Sequence, residues 1–322
     1  MADTYLTVGS FFLVLLVGIA FGKSGRLGTG TDQAITKIVF NFTLPCAIVH
    51  SFGATHFEAP MAALVLVGLA CTVTPWVASF LVSRRWPAHE RVLQQCNIAG
   101  FNIGCFSLPF IQALLPPVAA VYTCLFDAGN ALMMTGGTYA LTTSLVMGEG
   151  PHEGRVPGVA GLVRAAAVQA GSFVRKVCSS VAFDVYVIMV LLGLLGVSVP
   201  GVLISLTVPA ANANGFLSMF MLGLMFKADL SAGKLRELVR LLAMRWGFSL
   251  VMALAVWFCL PLPQMQRAVV VVLLFAPMGS LGPVFTLWCR SDVGLAGLAN
   301  ACTILVAILV MPALMLALGL IG

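Results

Sequence analysis

Asp127 and Asn130 stand three residues apart in FDAGNAL, within an apolar run long enough to cross a bilayer. On a helix that spacing places both side chains on one face. A carboxylate at membrane depth is expensive unless it faces a cavity or titrates, which makes Asp127 a candidate for binding a coupling ion or relaying a proton. The alternative is a protonated Asp127 in a buried hydrogen bond between helices.

A second group of polar and helix-breaking residues lies in FNIGCFSLPF: Asn102, Gly104, Ser107 and Pro109. Proline in a helix interior removes a backbone donor and costs about 3 kcal/mol, and glycine adds up to about 1 kcal/mol. A helix unwound here ends one segment and begins another, with Ser107 or Pro109 placed to open the second. The new N-terminus exposes free N–H groups and a partial positive charge. Such an end favours an anion and can hold a carboxylate without a full counter-charge. Asn102 adds an amide donor. The counterpart is APMGSLGPVF, with Pro277, Gly279, Gly282 and Pro283 as breakers and Ser280 as the polar side chain. Either stretch taken alone reads equally as a kink or a close-packing contact, and GFNIG is itself a GxxxG motif.

What must position these residues is a membrane bundle. The chain has 322 residues, 60% of them hydrophobic and 9% charged, with a mean hydropathy of +1.05, which excludes soluble globular classes. Ten apolar runs are long enough to be transmembrane helices: 6–21, 35–52, 60–82, 92–115, 118–145, 181–199, 203–226, 238–260, 268–288 and 295–320. A barrel would instead show alternating segments of about ten residues. The first run has no long basic leader and no cleavage-like site before Lys23, and reads as a retained helix. Nine cysteines scattered along the chain, with no C-x-x-C pair, read as small core residues.

The net charge of +6 would point to nucleic acid in a soluble protein. Here the basic residues sort by loop instead. With the amino terminus outside, every Lys and Arg except Arg267 and Arg245 falls in an inner loop or at an inner helix end, and Arg245 in run 8 reads as snorkelling to the inner face. Both termini are therefore expected outside, with the loop between runs 5 and 6 in the cytoplasm. No nucleic acid partner, cofactor or metal is expected; the lipid bilayer is.

The long polar stretch 148–180 divides the chain into a first five-helix unit (1–147), a cytoplasmic linker (148–180) and a second five-helix unit (181–322). The linker carries Pro151, His152, Pro157 and a basic amphipathic segment, LVRAAAVQAGSFVRK, suited to the inner membrane surface. An odd number of spans per half makes the halves run in opposite senses, the condition for inverted repeats. The breaks match across the halves. Runs 2 and 7 carry Pro45 beside Asn41 and Pro209 beside Asn212 and Asn214, these asparagines either lining a cavity or bonding across helices. Runs 4 and 9 are broken at mid-depth, near Gly104 and Pro277. Broken backbone there is tolerated only when buried in protein or lining a cavity, and a matched pair of breaks points to a transporter's binding site. Enzyme motifs fail: GIAFGKSG is out of register for a phosphate loop, and H-E-x-x-H and G-x-S-x-G are absent.

GKSGRL, TKIVFNFTLPCAIVHSF, FNIGCFSLP, FDAGNAL and the closing RSDVGLAGLANACTILVAILVMPALM resemble the auxin efflux carrier family, whose bacterial members include malate and malonate permeases. The resemblance implies ten helices in two inverted five-helix repeats crossing at broken helices 4 and 9, as in the similar fold of bile acid sodium symporters. It also implies a homodimer in the bacterial cytoplasmic membrane and elevator-like exchange of a small organic anion. The family's crossover asparagine and proline match Asn102 and Pro109, and Pro277 best matches the helix 9 proline. SSVAFDV replaces an Asn-Pro at the start of helix 6, PMGSLGP lacks the expected polar crossover residues, and no acidic motif for a sodium site is present. The reading is therefore a secondary transporter of a small carboxylate. A membrane-embedded ligand sensor, a sodium-coupled carrier or a channel are the rivals, the last disfavoured because polar residues gather at mid-depth.

Overall fold

The computed structural model describes residues 2–28, 30–53, 55, 57–147, 180–226 and 234–321. The predicted linker before Ser180, with His152 and its amphipathic segment, lies outside the described residues, as does His56. Each apolar run forms helix, two of them in two pieces, and no strand forms among the described residues.

The helices are α1 (Ala2–Ser24), α2 (Thr31–Gly53), α3 (Ala59–Arg85), α4a (Ala88–Ile98) and α4b (Ile103–Leu114), α5 (Pro117–Leu145), α6 (Val181–Leu194), α7 (Gly201–Leu224), α8 (Leu235–Cys259), α9a (Gln264–Leu273) and α9b (Gly282–Trp288), and α10 (Val293–Ala317). Seven of them, α1, α2, α3, α5, α7, α8 and α10, are long and apolar enough to cross a membrane. The chain is an all-helical polytopic membrane protein.

Prolines open several helices: Pro87, Pro116, Pro200 and Pro263 stand immediately before α4a, α5, α7 and α9a. α6 is shorter than the predicted 181–199. Gly196, at φ 68°, turns the chain left-handed, and the Val197 and Gly196 amides cap the carbonyls of Leu192 and Gly193 at 2.9 and 3.0 Å. Three helices widen into π turns, at Val39–Thr43, Ile103–Ser107 and Met133–Gly137, and the first two end two residues before a proline, Pro45 or Pro109. A proline offers no N–H to the carbonyl four residues back, and the wider turn absorbs the lost bond.

α3 and α5 pack at backbone contact. A Cβ on Gly129 would lie 2.0 Å from the Val65 carbonyl oxygen, and one on Gly68 would lie 2.0 Å from that of Phe126. Small residues let two backbones approach this closely. Gly129→Ala is therefore expected to cost at least about 3 kcal/mol, the top of the range for overpacking, because the obstacle is backbone. Gly9, where an added Cβ meets nothing within 4 Å, is the control. Equal thermal midpoints for Gly129→Ala and Gly9→Ala in detergent would refute the close-packing account.

One end of the bundle is tied by polar contacts. Lys234 pairs with Asp292, Arg240 pairs with Glu90, and the Ser291 hydroxyl donates to the His89 carbonyl at 3.1 Å. These join the starts of α8 and α4a to the turn between α9b and α10. Asp292 also caps α10, accepting from the Leu295 amide at 2.9 Å.

Candidate functional site

The interruptions in α4 and α9 meet. α4a stops at Ile98, Gly100 takes φ 84° and α4b starts at Ile103. Between α9a and α9b the chain is non-helical, and Phe101 and Met278 pair there as an isolated antiparallel bridge. The Asn102 amide donates to the Pro277 carbonyl at 3.0 Å. Two strips of unwound backbone would leave many donors and acceptors unpaired in an apolar interior, and each unpaired group costs about 1–3 kcal/mol.

Side chains from three other helices satisfy them. Asn130 of α5 clamps Phe101: its Nδ2 donates to the Phe101 carbonyl at 2.8 Å, and its Oδ1 accepts from the Phe101 amide at 2.9 Å. Thr303 of α10 accepts from the Met278 amide at 3.1 Å. Arg245 of α8 donates to the carbonyls of Ile98, Ala276 and Pro277 at 3.2, 3.2 and 3.1 Å. The predicted snorkelling of Arg245 is thus corrected: its side chain is buried beside the crossover, where half-helix carbonyls give it more hydrogen bonds than a climb to the interface along its own helix.

Asn130 also donates to Asp127 Oδ1 at 2.8 Å, while the Tyr186 hydroxyl of α6 donates to Oδ2 at 2.5 Å. Oδ2 also lies close to Gly104, 3.2 Å from where a Cβ on that residue would stand. Asp127 therefore sits against the first turn of α4b, where the helix dipole favours negative charge.

A cavity of about 100 Å³ opens at this point. It is smaller than the roughly 300–1,000 Å³ of drug-sized sites and suits a small molecule. Its polar lining includes Asn102, Asp127, Asn130, Thr135, Tyr186 and Ser280, and Gly104 forms part of its wall. Apolar side chains of Phe40, Leu44, Phe101, Met134 and Phe183 complete it, and it extends to Ser180 at the start of α6. Asn102 Nδ2 is buried there with no hydrogen-bond partner among the described residues.

Other predicted site residues take different places. α4b begins at Ile103 with Asn102 before it, so neither Ser107 nor Pro109 opens the segment. Ser107 is fully buried one turn in, its amide returning to the Asn102 carbonyl at 3.3 Å, and Pro109 lies within α4b. Pro277 contributes only its carbonyl. Gly279 and Gly100 make room for Met134, since a Cβ on either would come within 2.1 Å of that side chain. Asn41 is exposed on α2 and does not line the cavity; the neighbouring Thr43 donates instead to Asn214 at 3.1 Å. Asn212 is exposed as well. Tyr186, Thr303, Met134 and the inward Arg245 were not anticipated from the sequence. Of these only Arg245 carried a signal, a lone charge well inside an apolar helix.

His89, Glu90 and Glu237 could together present ligand atoms to a metal ion. They stand at the start of α4a and on the first turn of α8, away from the break, and Glu90 is already paired with Arg240.

Residues 5–156 match the family model described as membrane transport protein. The matched span contains α1 to α5, including the α4 break, Asp127 and Asn130, and it agrees in kind with the resemblance read from the sequence. A search of curated proteins gives no match. The helical bundle is that of a multi-pass membrane protein, and the match over its first five helices supports a membrane transport protein.

Proposed function

We propose that the protein is a secondary active transporter that moves a small organic anion, a carboxylate, by alternating access at the α4/α9 crossover. The observation that carries this reading is the unpartnered, buried side-chain amide of Asn102, a residue that lines the cavity at the N-terminal end of α4b. A buried donor left unpaired costs free energy, which a ligand acceptor returns on binding. The helix end beside it adds a partial positive charge. A carboxylate oxygen fits both.

Asp127 supplies the coupling. It lines the same cavity, and its negative charge opposes an anion, so the anion enters together with a proton on Asp127. On the positive-inside orientation, the start of α6 faces the cytoplasm, and a cavity reaching Ser180 is inward-facing. In the same reading α1–α5 and α6–α10 are inverted repeats. The crossover moves as a body in an elevator-like step, and the chain works as a homodimer in the bacterial cytoplasmic membrane with both termini outside.

Asn102→Ala is expected to raise the KM for the transported carboxylate about tenfold, the scale of one buried hydrogen bond to a charged group, with the thermal midpoint nearly unchanged. Uptake into proteoliposomes across mono- and dicarboxylates checks this. An unchanged KM would remove Asn102 from the site.

A further inference from the structure

Arg245 has a charge that hydrogen bonding alone does not require. Among the described residues no carboxylate forms an ion pair with it, although it is only 3% exposed. Its three acceptors share one character. Ile98 is the last residue of α4a, and Ala276 and Pro277 follow the end of α9a. Carbonyls at helix C-termini lack intrahelical partners and carry partial negative charge. Two such ends meeting at one point would repel each other, and would also repel an anion held nearby. The guanidinium fork is suited to this place, since its donors are rigid, planar and spread widely enough to serve both ends at once. Its Cζ also lies 4.9 Å from the centre of the Phe101 ring, over the unwound strip. Arg245 does not line the cavity, so it acts on the ligand through the helix ends and not by contact.

We propose that Arg245 is a positioning residue that sets the sign of the site. By capping the C-terminal ends of α4a and α9a with a full positive charge, it cancels their negative ends. The N-terminal end of α4b and the Asn102 amide are then left to attract the carboxylate. The proposal rests on the anion reading above and adds the group that makes an acid-lined, apolar cavity acceptable to an anion.

A purely structural Arg245 would matter only for its hydrogen bonds. Arg245→Lys and Arg245→Gln both lose the fork, and only the first keeps the charge. Equilibrium binding of radiolabelled malonate and indole-3-acetate to the purified full chain separates the two roles. For whichever anion binds, Arg245→Lys is expected to stay within about threefold of wild type, and Arg245→Gln to weaken about tenfold or more, the scale of a partly buried charge at a helix end. Thermal midpoints should fall for both variants. Equal weakening in Lys and Gln, or no weakening in either, overturns the electrostatic role. Arg245→Met serves as the neutral variant if Arg245→Gln does not fold. Binding of neither anion by the wild type would instead overturn the anion reading itself, a result distinct from any difference between variants.

Discussion

Asp127→Asn is expected to abolish the pH dependence of transport and to lower proton-driven uptake about a hundredfold, the lower scale on which a positioned proton-transfer group acts. The substitution is well suited to the question. Asn130 cannot rotate, because Phe101 fixes both ends of its amide. The new side chain must therefore turn its oxygen to Asn130, and its nitrogen can donate to the Tyr186 oxygen, which accepts no hydrogen bond among the described residues. Packing is kept while the titrating group is lost. Uptake measured across a range of pH in proteoliposomes, with and without an imposed proton gradient, reads the effect. A variant whose pH profile overlays that of wild type would leave Asp127 as a structural acceptor for Tyr186 and Asn130, and would move the coupling elsewhere. Tyr186→Phe refines the assignment: it removes one donor from Oδ2 and should shift the midpoint of the pH profile without erasing it.

Asn130→Ala is expected to do the most damage to the folded state. It strands both the amide and the carbonyl of Phe101 and takes one donor from Asp127. Two unpaired buried backbone groups amount to roughly 2–6 kcal/mol at about 1–3 kcal/mol each, a large share of a protein's net stability. The consequence should be local before it is global. Phe101 is the residue that bridges to Met278, so loosening it frees the crossover while the α1–α7 contact, where Gly18 packs on the Gly223 backbone, stays closed. Hydrogen exchange on the purified protein should show faster exchange in peptides covering 99–103 and 276–281, with peptides from α1 and α7 unchanged, together with a lowered thermal midpoint. Asn130→Asp keeps an acceptor for the Phe101 amide but cannot donate to its carbonyl, and it places a second acid beside Asp127; it should rescue little. Unchanged exchange at the crossover in Asn130→Ala would mean that the Arg245 and Thr303 contacts hold the unwound strips without the clamp.

Much of the site's position along the chain could be read locally. Gly100, Gly104, Pro277, Gly279 and Gly282 concentrate conformational cost at one depth, and the helices do stop there. Asp127 and Asn130, three residues apart, do share a face and do bond to each other. These are properties of a few neighbouring residues. The start of α4b was misplaced by one turn because proline is a good opener of helices, yet here the proline at 109 acts from inside, through the π turn before it.

What the sequence by itself determined is the class of molecule, the number of apolar runs and where two of them break, since hydropathy over about 20 residues and the cost of proline and glycine act without knowledge of neighbours. Tertiary structure alone decided which faces turn inward. In a membrane both the lipid-facing and the protein-facing sides of a helix are apolar, so amphipathic periodicity gives little guidance. That is why Asn41 was read as inward and stands exposed, why Tyr186 and Thr303 gave no sign of reaching the crossover, and why Arg245, apparently able to climb to the interface, is folded in against the carbonyl ends of two half-helices.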